Sequence, residues 1–289
     1  IILNYNSYKL TEKLALKVSK MDSINNVVIV DNCSSDNSFE YLLKLKNTKI
    51  DVIKSDKNGG YSYGNNFGAR YSKKYNPDIL FISNPDVDIE ESEIKKILKV
   101  FNDTEYSILS AVEYDINNNI SNPPIWKIMK YTDDLCDCSF ILKKLKHTNE
   151  NLKIELNEEV QAIEMIKGSF FGVRYKDFME VDGFDENVFL FCEERIIARK
   201  MIDNNKSIGI VTDAKYNHNH SASINKSYKL KSSQIKLLYK SRLYYNKKYN
   251  NINGFKYYLL YMVMKISILE YYMYDFINFI KYKLKDIKG

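Results

Sequence analysis

The sequence predicts an α/β protein with a mostly parallel central sheet, followed by a C-terminal helical extension. Three observations lead there. A short apolar run, a polar or glycine-rich cluster and a helical pattern recur four times in the first half of the chain, as in βαβ units. The 289 residues exceed what one small core needs. Residues 224–289 hold 14 Lys/Arg against 3 Asp/Glu, and 12 of the 24 tyrosines. That break in composition places a domain boundary near Ser223, separating a 1–223 domain from a basic, tyrosine-rich 224–289 extension.

Ile1–Leu3 forms the first expected strand and leads through Asn4-Tyr5-Asn6 into a helix around Thr11–Lys20. Val27–Val30 leads through Asp31-Asn32-Cys33-Ser34-Ser35-Asp36 into a helix from about Ser38. Asp51–Ile53 leads through Asn58-Gly59-Gly60 into a helix ending near Lys74. Ile79–Ile82 leads through Asn84-Pro85-Asp86-Val87-Asp88 into a helix ending near Phe101. Each cluster alone reads as a turn. Together they occupy the carboxyl ends of strands, where open α/β sheets bind ligands.

Ser107–Val112 predicts another strand, and residues 115–160 show only a helix near Phe140–Lys146. Ile163–Arg174 is a strand-like run containing Gly168, and Gly183-Phe184-Asp185-Glu186 is a turn. A helix over Glu193–Asp203, a strand over Ile208–Val211 and a loop holding His218-Asn219-His220 follow. The most apolar stretch, Tyr257–Ile280, is interrupted by Lys265, Glu270 and Asp275, so no membrane span is expected. Four scattered cysteines and three histidines make neither a disulfide framework nor a zinc spacing. A reduced, cytoplasmic protein is the expectation.

Four groups could carry chemistry. Asp86 and Asp88 could hold Mg²⁺ or Mn²⁺ beside a phosphate, or cap the following helix. Glu193 and Glu194 could complement a helix dipole, or supply a general base. His218 and His220 could complete a metal shell or stand as ordinary surface histidines. The segment from Asn58 to Gly68 matches neither the dinucleotide nor the P-loop spacing. It reads as a flexible turn, or as backbone amides facing a diphosphate.

In order and spacing, residues 1–223 resemble the family 2 glycosyltransferases of GT-A fold, especially the bacterial rhamnosyltransferase-like branch. The resemblance rests on Asn4-Tyr5-Asn6, Asp31-Asn32-Cys33-Ser34-Ser35-Asp36, Asn58-x-Gly60 through Asn66-x-Gly68 and Asn84-Pro85-Asp86. It continues through Gly183-Phe184-Asp185-Glu186, Phe189-Leu190-Phe191-Cys192-Glu193-Glu194 and His218-x-His220-x-x-Ser223. It implies that Asp31 contacts the nucleotide base, with Leu3, Asn4, Tyr5 and Asn6 nearby. It implies that Asn58, Gly60, Asn66, Asp86 and Gly168 shape the nucleotide-sugar site. Asp86, Asp88 and His218 would hold the Mn²⁺ or Mg²⁺, and Glu194, with Glu193 beside it, would be the base. The family usually has Asp at the position of Glu194, and its next acidic position is Ile196 here. The expected function is inverting transfer of a sugar from a nucleotide-diphosphate donor to a glycan or lipid-linked acceptor, in bacterial surface polysaccharide synthesis. The rival readings are a non-catalytic sugar-nucleotide or glycan-binding relative and a nucleotidyltransferase.

The extension mixes Lys and Arg with Tyr, Leu, Ile, Met and Phe. No nucleic-acid module appears in it. A helix pair on an anionic membrane surface is the leading expectation, placing the protein peripherally on the inner face of the cell membrane. A helical bundle or homo-oligomer contact is the alternative.

Overall fold

The computed structural model describes residues 1–121, 127–138, 154–155, 158–219 and 231–286, with side chains up to 278. The expected helix at Phe140–Lys146, His220 and Ser223 lie outside them. The chain forms two compact units. The first holds Ile1–Ile128, Asn151–Phe189 and Glu193–Ser223; the second holds Met129–Glu150, Leu190–Cys192 and Ile224–Gly289. The second unit therefore exceeds the expected 224–289 extension. Tyr131 and Leu135 on the helix Tyr131–Asp137 pack with Cys138, Tyr239, Ile252, Leu260 and Met264.

In the first unit, β1 (Ile2–Asn4), β2 (Val27–Asp31), β3 (Ile50–Lys54) and β4 (Ile79–Ser83) alternate with the helices Tyr8–Val18, Ser38–Leu43 and Gly60–Ser72. Then follow β5 (Val87–Asp88), the helix Glu91–Asp103, β6 (Ile108–Tyr114), β7 (Val160–Ala162), β8 (Phe170–Arg174) and β9 (Ile208–His218). The described strands form one sheet in the order β3-β2-β1-β4-β8-β6-β9-β5, with β7 also on β9.

The β-branched run of β2 is buried at all five positions, as expected of a strand covered on both faces. On the helix Glu91–Asp103, Ile94, Ile97, Val100 and Phe101 recur at helical spacing and are buried. They pack with Leu109 and Ala111 of β6 and with Val211, Ala214 and Tyr216 of β9.

Pairing is parallel among β3, β2, β1 and β4, and again between β6 and β9. The expected mostly parallel sheet is otherwise mixed, because β5, β7 and β8 enter antiparallel. Since β8 runs against both β4 and β6, the carboxyl ends of β1, β2, β4, β6 and β9 share one edge with the amino end of β8. This edge carries the candidate site.

Two further expectations are corrected, and one short strand was not foreseen. The run Ile163–Arg174 is strand only from Phe170, which leaves Gly168 in the turn before β8. β9 continues past Val211 to His218 through an irregularity at Ala111/Val112, so His218 ends a strand instead of lying in a loop. β5 is only two residues long, too short to show a period, and is held by the pairing of Val87 with His218 and Asp88 with Asn217. In the second unit the long helices are Lys231–Tyr249 and Gly254–Asp286. No helix among the described residues is long and apolar enough to cross a membrane.

Candidate active site

The first part of the site is a buried polar network behind β1 and β2. Asn4 Nδ2 donates to Asp31 Oδ2 at 2.8 Å and to Ser34 Oγ at 3.2 Å. Ser34 Oγ donates to Asp31 Oδ2 at 2.6 Å, and Ser34 N donates to Asp31 Oδ1 at 3.0 Å. Asn4 and Asp31 are fully buried. Asp31 therefore shapes the loop after β2 with both of its oxygens engaged, instead of presenting them outward. Asn6 is exposed and reaches the same loop, its Oδ1 accepting from Ser35 N at 2.9 Å. Tyr5 is half-buried. Leu3 fills the space left by the missing side chain of Gly64.

The glycine-rich segment ties this loop to the acid pair. Asn32 Nδ2 donates to Asn58 Oδ1 at 3.2 Å and to Gly60 O at 3.0 Å. Gly60 has φ +85°, and a Cβ there would fall 1.9 Å from Phe189 O, a backbone position that only glycine can take. Next to it, Tyr61 N donates to Phe189 O at 3.1 Å, and Tyr61 Oη donates to Gly168 O at 2.6 Å. Asn66 pins the turn before the acid pair, exchanging hydrogen bonds of 2.9 Å with Phe184 N and Phe184 O.

Glu193 and Glu194 open the helix Glu193–Asp203, just after Phe191 and Cys192, both at φ 69°. Two successive non-glycine residues in that region store backbone strain. Glu193 is buried, and its Oε2 has no hydrogen-bond partner among the described residues. Burial, and then the charge of Glu194, push its carboxyl well above the usual carboxylate range. Glu194 is half-buried and accepts from the Gly168 backbone N–H; burial raises its carboxyl too. Burial thus raises both carboxyls, that of Glu193 the further. A Cβ on Gly168 would stand 2.4 Å from Glu194 Oε1. The absence of a side chain at 168 makes room for the glutamate, one methylene longer than aspartate.

The edge continues from Gly168 to Asp86. Ser169 O accepts from Asn84 N at 2.8 Å, so the turn after β4 lies against the turn before β8. Asp86 Oδ1 lies 3.2 Å from His218 Nε2, and His218 Nδ1 lies 3.3 Å from Glu113 Oε2. Glu113 is buried at the end of β6. Its Oε2 accepts from Ser169 Oγ at 2.8 Å and Tyr216 Oη at 2.9 Å, and its Oε1 stands 3.2 Å from Lys167 Nζ. Burial opposes ionisation of Glu113, but His218 and Lys167 outweigh it and hold the carboxyl well below its usual range. Burial likewise opposes the imidazolium, yet Asp86 and Glu113 raise the His218 pKa to about 9.

Two ligands on adjacent corners of an octahedron of ~2.1 Å bonds lie about 3 Å apart. The separation of Asp86 Oδ1 and His218 Nε2 fits that edge once the imidazole gives up its proton. Among the described residues, no cluster of three or more His, Cys, Asp or Glu side chains could hold an ion. A divalent ion there has room for diphosphate and water oxygens beside these two side chains.

Asp88 stands apart from this pair. It is exposed, and its carboxylate meets Lys17 Nζ at 2.6 Å on the helix Tyr8–Val18. Val87 and Ile89 face inward, so alternation turns Asp88 out, whereas Asp86 precedes the strand. Sequence reasoning missed Glu113, Lys167, Ser169, Tyr61 and Tyr216. Glu113 follows the expected strand Ser107–Val112 at the same sheet edge, and that position was its signal.

The sequence of residues 1–178 matches the family model described as glycosyl transferase family 2. The low-salt glycan biosynthesis hexosyltransferase Agl10 of Haloferax volcanii is 27% identical over 220 residues, 75% of this chain and 66% of its own. The rhamnosyltransferase WbbL of Escherichia coli is 24% identical over 140 residues, 47% of this chain and 51% of its own. The chain thus spans between half and two thirds of these relatives' lengths. A mannosyltransferase from Pyrobaculum calidifontis, solved with GDP-Man and Mn²⁺, superposes with a TM-score of 0.59 at 12% identity, over 93% of this chain and 72% of that one. The fold is the GT-A fold. With a match across more than half its length, this chain belongs to glycosyl transferase family 2.

Proposed function

We propose that the chain is an inverting glycosyltransferase that moves a hexosyl group from a nucleoside-diphosphate sugar to a glycan or lipid-linked acceptor in surface polysaccharide assembly. The observation carrying this reading is the placement of Glu194. It is a half-buried acid beside the buried Glu193, on the same sheet edge as the Asp86–His218 pair.

Each residue then has a physical task. Glu194 accepts the acceptor hydroxyl proton as that oxygen attacks the anomeric carbon from the face opposite the leaving diphosphate. Glu193 holds its own proton and so leaves a single negative charge at the pair. Asp86 and His218 hold a divalent ion, Mn²⁺ or Mg²⁺, which when bound offsets negative charge on the leaving diphosphate. Glu113 orients His218, as outer carboxylates orient metal-binding imidazoles. Asp31 and Asn4 act through the loop they brace, leaving Tyr5 and Asn6 to meet the base. Asn58, Gly60 and Asn66 set the glycine-rich segment, and Gly168 seats the base. Asp88 is left out of the ion's shell.

The related hexosyltransferase, the rhamnosyltransferase and the mannosyltransferase bound to GDP-Man and Mn²⁺ support this reading. The test is a screen of nucleotide sugars for thermal stabilisation with Mn²⁺ or Mg²⁺, followed by transfer assays on each positive donor. Ligand at ~100 Kd stabilises by about 2.7 kcal/mol, a readily measured rise. If no nucleotide sugar stabilises the protein with either ion, the proposal fails.

A further inference from the structure

The helix Gly254–Asp286 of the second unit has two apolar faces. One is spent on the core: Leu260, Met264 and Ser267 are buried, and Ser267 Oγ meets Tyr239 Oη at 2.9 Å. The other is open. Phe255, Met262, Ile266, Leu269, Met273 and Phe276 are all exposed, from 38% at Met262 to 77% at Phe255. At 3.6 residues per turn these six fall within an arc of about 80° opposite the buried face, and the stripe runs about 30 Å. Isolated apolar residues on a surface are ordinary, but a continuous stripe of this length marks an interaction surface.

The charge around the stripe selects the partner. The neighbouring helix Lys231–Tyr249 has six basic residues and no acidic one. At one margin of the stripe, Lys265 lies over the Tyr261 ring at 5.2 Å and Lys236 over the Tyr272 ring at 4.7 Å. Cations beside aromatic rings that flank an apolar face suit a headgroup layer, where tyrosine and the lysine stem rest at the boundary. Two copies meeting stripe to stripe in antiparallel fashion would instead set this basic margin against itself. The helix is not apolar enough to span a bilayer, so it would lie in the surface plane. We propose that the exposed stripe Phe255–Phe276 docks the second unit on an anionic lipid surface, apolar face inward and lysines against the headgroups.

The experiment uses the full chain and sedimentation with phosphatidylcholine vesicles, with and without phosphatidylglycerol. Binding should be at least about fivefold stronger for each lysine engaged when the anionic lipid is present, and should weaken with salt. Ile266→Glu with Met273→Glu should reduce binding more than about tenfold. Tyr274→Glu, exposed but off the stripe, should reduce it far less. Circular dichroism and the melting temperature of each variant should match the parent, since these positions contribute little to the core. Equal binding to neutral and anionic vesicles, or equal binding by parent and double variant, overturns the proposal. A parent dimer that the double variant splits, without vesicle binding by either, also overturns it and assigns the stripe to a second copy. Nucleotide-sugar stabilisation is read separately, so losing lipid binding leaves the transferase reading untouched.

Discussion

Replacing Gly168 by alanine would test whether the position of the Glu194 carboxylate, and not only its presence, sets turnover. An alanine Cβ would stand 2.4 Å from Glu194 Oε1 and 2.9 Å from its Cγ. Ordinary contact is near 3.4 Å, so the carboxylate must retreat by about 1 Å. A displacement of that size at a reacting group costs about 10²-fold in rate, or about 2.7 kcal/mol of transition-state stabilisation. The glutamate end is flexible, and alanine narrows the unfolded ensemble, so stability should change by less than about 1 kcal/mol. The assay is single-turnover transfer, with donor affinity and melting temperature measured alongside. Donor affinity should hold while the chemical step slows. In a Glu194→Gln background, Gly168→Ala should add almost nothing, because both changes act on one group. Glu194→Asp, one methylene shorter, should restore part of the rate lost in Gly168→Ala. Parental turnover in Gly168→Ala, with Glu194→Gln still inactive, would refute the claim that this contact positions the base.

The other predictions follow from the same geometry. Glu194→Gln should lower transfer by about 10²–10⁴-fold with donor binding intact, and Glu193→Gln, which imitates the protonated acid, should change it little; the reverse pattern makes Glu193 the base. Folded Glu193 keeps its proton above the pH at which the unfolded chain releases it, so its burial costs stability as pH rises through the folded value. Glu193→Gln should therefore flatten the loss of melting temperature between acidic and neutral pH, and an unchanged slope would show that Glu193 ionises freely when folded. Asp86→Ala and His218→Ala should weaken Mn²⁺-dependent nucleotide binding, measured by calorimetry, whereas Asp88→Ala removes only the surface pair with Lys17, worth at most about 1 kcal/mol of stability. Glu113→Gln strips the charge that faces Lys167 and His218 in the interior and should cost about 3 kcal/mol in chemical denaturation; a loss under about 1 kcal/mol would mean that water enters this network.

Much of the β1–β4 side of the site was legible because each cluster follows a short apolar run, and parallel topology sends such clusters to one edge. Asn4, Asp31, Asn58 and Asp86 all stood behind runs of that kind. The acid side was harder. Glu113 closes a strand beyond which the pattern fades, and its partners Lys167, Ser169 and His218 come from distant segments brought together only by the pairing of β6 with β8 and β9. Asp86 and Asp88 have equal standing in the sequence, since the turn at Asn84–Asp86 that separates their directions has no periodicity to read. The extension of β9 was readable in principle: Thr212, Ala214, Tyr216 and His218 alternate with Asp213, Lys215 and Asn217, and the first set is buried. Asp213 and Lys215 in the run masked that alternation.

The junction at Gly60 and Tyr61 has a consequence for how two ligands would bind together. One side of it takes the Asn32 side chain from the loop after β2, and the other grips Phe189 O and Gly168 O beside the acid pair. A donor that stiffens the loop would lower the entropy still to be lost when an acceptor settles against Glu194. Coupling of that kind works in both directions. An inert donor analogue should accordingly tighten the acceptor by the same factor as the acceptor tightens the analogue, whichever is added first.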